Sequence, residues 1–295
     1  MAIALVVAIV LAAIVGADKA GDRAERAKDP NHGAVVSDLL AGPQLNTVGC
    51  DSTDNPTTLA PVELTIAGNG YTSVATLRAA TPVEGQRPLV IVFTPPGVPT
   101  GDWLAGTRLE ALAGENGAVL ATLAPSATEG WAVPLGRELT PDLDALARLL
   151  SDVGDQTCVD PARVSLIGFA NAADFAVAVA CNYPRVASHV VTIGGSTPNE
   201  NCVRFDGRGL LTVLDGSLST YTTAVERYSA FITERSCPEP TYSTQGDISL
   251  AMSQQCERDG QFWIGAAVGI LGWSSGFDDL VEQFLAASGA FVAQN

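Results

Sequence analysis

Histidine is nearly missing from this chain, with only His32 and His189 in 295 residues. Chemistry that moves protons through an imidazole, or holds a metal between imidazoles, has almost no material to work with. Lysine is as scarce: it occurs at Lys19 and Lys28, and every basic residue beyond them is Arg. With Lys+Arg 16 against Asp+Glu 32, the formal charge is -16 and the isoelectric point is near 4.3. That balance excludes nucleic acid and anionic membrane surfaces as partners, since both need a basic face. The sequence has no H-x-x-x-H, no C-x-x-C and no G-x-x-x-x-G-K-[ST]. Neither a metal nor a phosphate-bearing cofactor is therefore expected.

What is present suits one large core. Hydrophobic residues make up 47% of the chain, punctuated by 29 Gly and 17 Pro, which fits an α/β domain of this length without a second domain. Met1 to Ala17 is almost wholly apolar, and charges begin at Asp18. The run reads as a signal peptide, with small residues at Val15-Gly16-Ala17 for cleavage, or as a single membrane anchor. No Lys or Arg precedes it. Residues 18–58 read as a spacer, and the domain is expected over 59–295. Six cysteines, an even count, favour disulfides and an extracytoplasmic location over zinc.

The stretch that organises the rest runs from Val164 to Cys181. A β-branched and aliphatic strand ends at Gly168, a corner of small residues follows, and then comes an apolar segment free of Gly and Pro. Strand, sharp turn and helix in this order make a nucleophile elbow, G-x-S-x-G, in which a strained turn lifts a serine above the sheet. Here the five positions read Gly168-Phe169-Ala170-Asn171-Ala172, so the frame is present and the serine is not. Together with Val159-Asp160-Pro161-Ala162-Arg163-Val164 before it and Ala180-Cys181-Asn182-Tyr183-Pro184 after it, the segment resembles the secreted esterases of the polyhydroxybutyrate depolymerase and feruloyl esterase type. The resemblance spans roughly Leu59 to the C-terminus. It implies an α/β-hydrolase fold, a mostly parallel central sheet with helices on both faces.

The other elements follow in order. Pro61–Ile66 and Tyr71–Ala79 flank a Gly-rich turn as a hairpin. Pro88–Phe93 is a continuous apolar run of strand length, as in a strand buried on both faces. Helices are expected over Trp103–Asn116, over Thr140–Val153 with Thr140 as N-cap and Pro141 at the first position, and over Phe277–Ala287. Asp142 and Asp144 suit the positive end of the second helix. Strands are expected over Gly117–Leu123, Ser188–Ile193, Gly209–Leu214 and Phe262–Val268.

Aligning the resemblance position by position empties the active site. The oxyanion loop of those esterases begins His-Gly, whereas Thr94-Pro95-Pro96-Gly97 stands here, and proline has no N–H to offer. Their catalytic acid comes from His-Gly-Thr-x-Asp; Asp215-Gly216-Ser217-Leu218-Ser219 puts Ser219 in its place, with Asp215 too early except as a surrogate. Their histidine precedes x-Trp, which here gives Leu271. All three triad positions, Ala170, Ser219 and Leu271, lack the group a Ser-His-Asp hydrolase needs. His189 enters its strand at the end opposite the site and is read as structural. The resemblance also implies the disulfides Cys237–Cys256, Cys181–Cys202 and Cys50–Cys158. The resulting expectation is an exported, catalytically silent esterase-like protein that binds a small molecule or an envelope partner. The alternative is an active ester hydrolase using Ser196, Ser217 or Ser219 with Asp215.

Overall fold

A computed structural model describes residues 39–42, 45, 59–68, 70–79, 85–134, 138–195, 205, 207–217 and 221–291. Ten strands form one sheet: β1 (Leu59–Gly68), β2 (Tyr71–Ala79), β3 (Arg87–Phe93), β4 (Val119–Leu123), β5 (Val159–Phe169), β6 (His189–Ile193), β7 (Gly209–Asp215), β8 (Thr241–Gln245), β9 (Ile248–Cys256) and β10 (Gly260–Ala267). Their order across the sheet is β1-β2-β4-β3-β5-β6-β7-β10-β9-β8. From β4 to β10 all neighbours run parallel. The β1–β2 hairpin extends one side antiparallel, and the β9–β8 hairpin extends the other.

The parallel strands are apolar along their length because helices cover both faces. Every residue of β3, β6 and β7 is buried. Alternation then sorts side chains between two cores. Leu89, Ile91 and Phe93 of β3 enter one, with α3 (Pro141–Gln156), α4 (Asn171–Asn182) and Tyr228 of α5 (Tyr221–Glu234). Val90 and Val92 enter the other, with α1 (Thr100–Ala105), α2 (Leu109–Glu115) and α6 (Ser275–Ala287).

The hairpin, the buried strands, the capped helix and the closing helix lie where the sequence puts them. Thr140 caps α3, its side chain accepting from the Leu143 N–H at 3.2 Å. The single helix expected over Trp103–Asn116 is instead α1 and α2. Gly106 and Thr107 turn back onto the carbonyls of Trp103 and Leu104, and the Thr107 hydroxyl takes the Leu109 N–H that starts α2. Neither α5 nor the β8–β9 hairpin is among the elements expected from the sequence. Within the segment expected as a spacer, Leu39 and Leu45 are buried in the first core, so that part of the chain belongs to the folded body. Among the described residues no helix is long and apolar enough to cross a membrane; Met1–Ala17 lies outside them.

Candidate functional site

The C-terminal ends of the parallel strands gather the loops on which a doubly covered sheet places its ligands. At their centre β5 turns into α4 through Ala170. Ala170 has φ 52° and ψ -123°, a conformation that costs an L-residue about 1–3 kcal/mol and persists where surrounding structure imposes it. The corner between β5 and α4 thus has the strained backbone expected of an elbow, with a methyl side chain at its apex. Gly168 is needed for the turn, because a Cβ there would collide with the Ala172 carbonyl and the Ala173 Cα. The turn is fixed by the Ala170 N–H donating to the Ile193 carbonyl at 2.8 Å and the Ala173 N–H donating to the Ala170 carbonyl at 2.9 Å.

Aromatic clusters lie on both faces of the sheet, in the elements that meet at the β5–α4 corner. On the α4 side Trp131 stacks on Phe175 at 4.7 Å and meets Phe93 edge-on at 5.1 Å. Its indole N–H donates to the Thr94 carbonyl at 2.9 Å, and its backbone N–H donates to Asn171 Oδ1 at 2.6 Å. Trp131 therefore ties the loop after β3 to the first residue of α4. On the opposite side Trp273 touches Phe169, Trp103 and Phe277, with centroids 5.5–6.2 Å apart. Gly194, at φ +68°, lets Ile270 come close beside the Ala170 backbone.

Three carboxylates, Asp142, Asp144 and Asp215, tie together the segments around this end of the sheet. Asp142, fully buried in the first turn of α3, accepts from the N–H groups of Ser126 and Ala132, both at 2.6 Å. It does more than suit the helix dipole: it holds the loop that carries Trp131. Asp144 accepts from the Tyr71 hydroxyl at 2.6 Å and from Arg148 Nε at 3.1 Å. Asp215, at the end of β7, accepts from the Ser217 hydroxyl and N–H and from the N–H groups of Gly269 and Ile270, at 2.7–3.1 Å. These donors, the Ser217 hydroxyl first, hold its carboxyl below the usual carboxylate range. The loop it clamps is the one in which the resemblance places a histidine. That position, Leu271, points into solvent at 98% exposure, with Val268 82% exposed nearby.

Of the residues singled out from sequence, the structure brings Ala170, Thr94 and Asp215 to this end of the sheet. Thr94 is buried, Pro95 and Pro96 follow it half-buried, and Gly97 turns at φ +75°. Ser196 and Ser219 lie outside the described residues. His189 begins β6, which places it about 15 Å along the strand from the loops. It is buried, its Nε2 3.0 Å from the Ser288 carbonyl and its Nδ1 2.8 Å from the Ser188 hydroxyl. Burial pushes its pKa down to about 4. Among the described residues no group of three His, Cys, Asp or Glu side chains could hold a metal.

The disulfide Cys237–Cys256 is formed. Cys158 and Cys181 are also disulfide-bonded, while their expected partners Cys50 and Cys202 lie outside the described residues. The roles of Trp131, Asn171 and Ile270 are not among those expected from the sequence. An indole and an amide next to Gly and small residues carry no signal until the fold joins residues forty positions apart.

No family model matches the chain, and no curated protein matches it. Solved structures share its fold. The acetyl xylan esterase from Aspergillus awamori superposes with a TM-score of 0.55 at 10% identity, over 79% of this chain and 100% of that one. The S-formylglutathione hydrolase from Agrobacterium tumefaciens gives 0.52 at 10% identity, over 80% and 100%. A feruloyl esterase gives 0.53 at 11% identity, over 81% and 90%. The fold is that of the α/β-hydrolase esterases, mostly parallel sheet and flanking helices included.

Proposed function

We propose that this protein is an exported pseudo-hydrolase: an esterase-like fold that no longer turns over esters and that acts at the cell envelope by binding a small molecule or supporting a partner protein. One observation carries the reading. Ala170 keeps the strained backbone of a nucleophile while offering only a methyl group. Supporting it, the described imidazole is buried at the far end of β6, and two prolines stand where an oxyanion loop would present N–H groups. Export rests on the apolar leader Met1–Ala17 and on the disulfides.

A second reading, an active hydrolase with a serine outside the elbow, has the 2.7 Å contact from the Ser217 hydroxyl to Asp215 in its favour. Against it, that carboxylate already accepts two loop N–H groups, and its lowered pKa makes it a weak base. The experiment is hydrolysis of short-chain p-nitrophenyl esters by the purified protein, paired with a fluorophosphonate probe. The expected result is background turnover and no labelled residue. Probe-sensitive turnover with labelling at Ser196, Ser217 or Ser219 would replace the first reading by the second.

A further inference from the structure

A groove of about 690 Å³ lies beyond the parallel part of the sheet, between α5 and the β8–β9–β10 face. That volume is typical of small-molecule sites. Its floor follows from strand register. Tyr242, Ala251 and Ile264 face one another across β8, β9 and β10, and the next row up is Thr244, Ser249 and Ala266. Small side chains at Ala251, Ser249 and Ala266 leave the hollow, while Val225 and Ile232 of α5 form the opposite wall.

Three features make this more than a gap between elements. First, the two walls are covalently joined: Cys237, just past α5, is bonded to Cys256 at the end of β9. The Glu257 N–H also donates to the Arg235 carbonyl at 3.0 Å. The groove is therefore held open in the free protein, which lowers the cost of binding. Second, among the described residues its lining holds no Asp, Glu, Lys, Arg or His, in a chain where charged residues are 16% of the total. Third, polarity is supplied by neutral hydroxyls: Ser229, Thr233 and Thr244 line it. Behind this lining, buried Tyr228, one turn from Val225 and Ile232, bonds Thr212 and Thr192, and Thr212 pairs in register with Ile264.

We infer that the groove between α5 and the β8–β9 hairpin is a binding site for an uncharged single-chain amphiphile of the monoacylglycerol or fatty-alcohol class. The apolar chain lies along Val225, Ile232, Ala251 and Ile264, and the hydroxyl-bearing head meets the Ser and Thr rim. An ionised head finds no counter-charge there and loses hydration on entry. A peptide strand added to the margin of β8 would bond in the plane of the sheet and leave the face of the groove unfilled. This site is independent of the reading of Ala170, since it shares no residue with the elbow.

The test is isothermal titration of the intact, oxidised protein with three chain-matched probes below their micelle concentrations: 1-lauroylglycerol, laurate and dodecyltrimethylammonium. The expected result is saturable 1:1 binding of 1-lauroylglycerol, with both ionic probes at least about tenfold weaker. Ala251→Trp, which fills the floor, and Ser249→Asp, an exposed rim change that spares the core, should each abolish binding. Val74→Ser on the far side of the sheet should leave it intact. Equal binding of all three probes, binding that survives both groove variants, or no binding to the wild-type protein would each overturn the inference. Self-association through this face, lost in Ala251→Trp without any lipid binding, would overturn it too.

Discussion

Ala170 holds a conformation that only a demanding turn justifies. Replacing it with glycine removes strain of about 1–3 kcal/mol and returns about 0.4–1 kcal/mol to the unfolded chain as entropy. Ala170→Gly should therefore stabilise the protein by roughly 1 kcal/mol in urea unfolding. Ala176→Gly, in the middle of α4, should instead cost roughly 1 kcal/mol. If Ala170→Gly costs as much as Ala176→Gly, the turn is not strained. The residues that frame the turn were legible in the sequence, because Gly168 and the small Ala172 and Ala173 are demanded by steric contact within five positions. The strain was legible only through the elbow pattern, since alanine by itself gives no sign of it.

At the scale of elements, local rules carried far where the signal is local. Continuous apolar runs gave the buried strands, and Thr140-Pro141 marked the start of α3. The β8–β9 hairpin escaped because Thr241–Gln245 is polar and mostly exposed, so it has little of the alternation that a half-buried strand shows. The role of Asp215 was equally hidden, since its partners at Gly269 and Ile270 are backbone groups more than fifty residues on. The carboxylate at the end of β7 clips two loops together through four hydrogen bonds. Asp215→Asn should speed amide hydrogen exchange at Gly269 and Ile270 while leaving Val90 and Ile91 in β3 protected, because an amide oxygen replaces two charge-assisted acceptors. Unchanged exchange at those two amides would show that the loop holds itself.

For the molecule as a whole, His189 links the start of β6 to the end of α6 and sets an acid limit on stability. Its pKa falls from 6.5 to about 4 on folding, so the unfolded chain binds its proton first. The stability this group contributes is fully present above pH 6.5 and is lost as the pH falls towards 4, by roughly 2–3 kcal/mol at pH 4.5. Urea unfolding at pH 7.5 and 4.5 should show that loss, and His189→Asn should flatten it. Equal losses in both proteins would place the acid sensitivity elsewhere. Acidity has a second effect at this scale. Strand β8 forms one margin of the sheet and contains no charged residue, so nothing on the strand itself wards off a neighbouring molecule seeking backbone partners. The surplus of carboxylates does that work from a distance. Crowded molecules keep apart by mutual repulsion, and salt, by shortening the reach of that repulsion, is what would let two sheets zip into one.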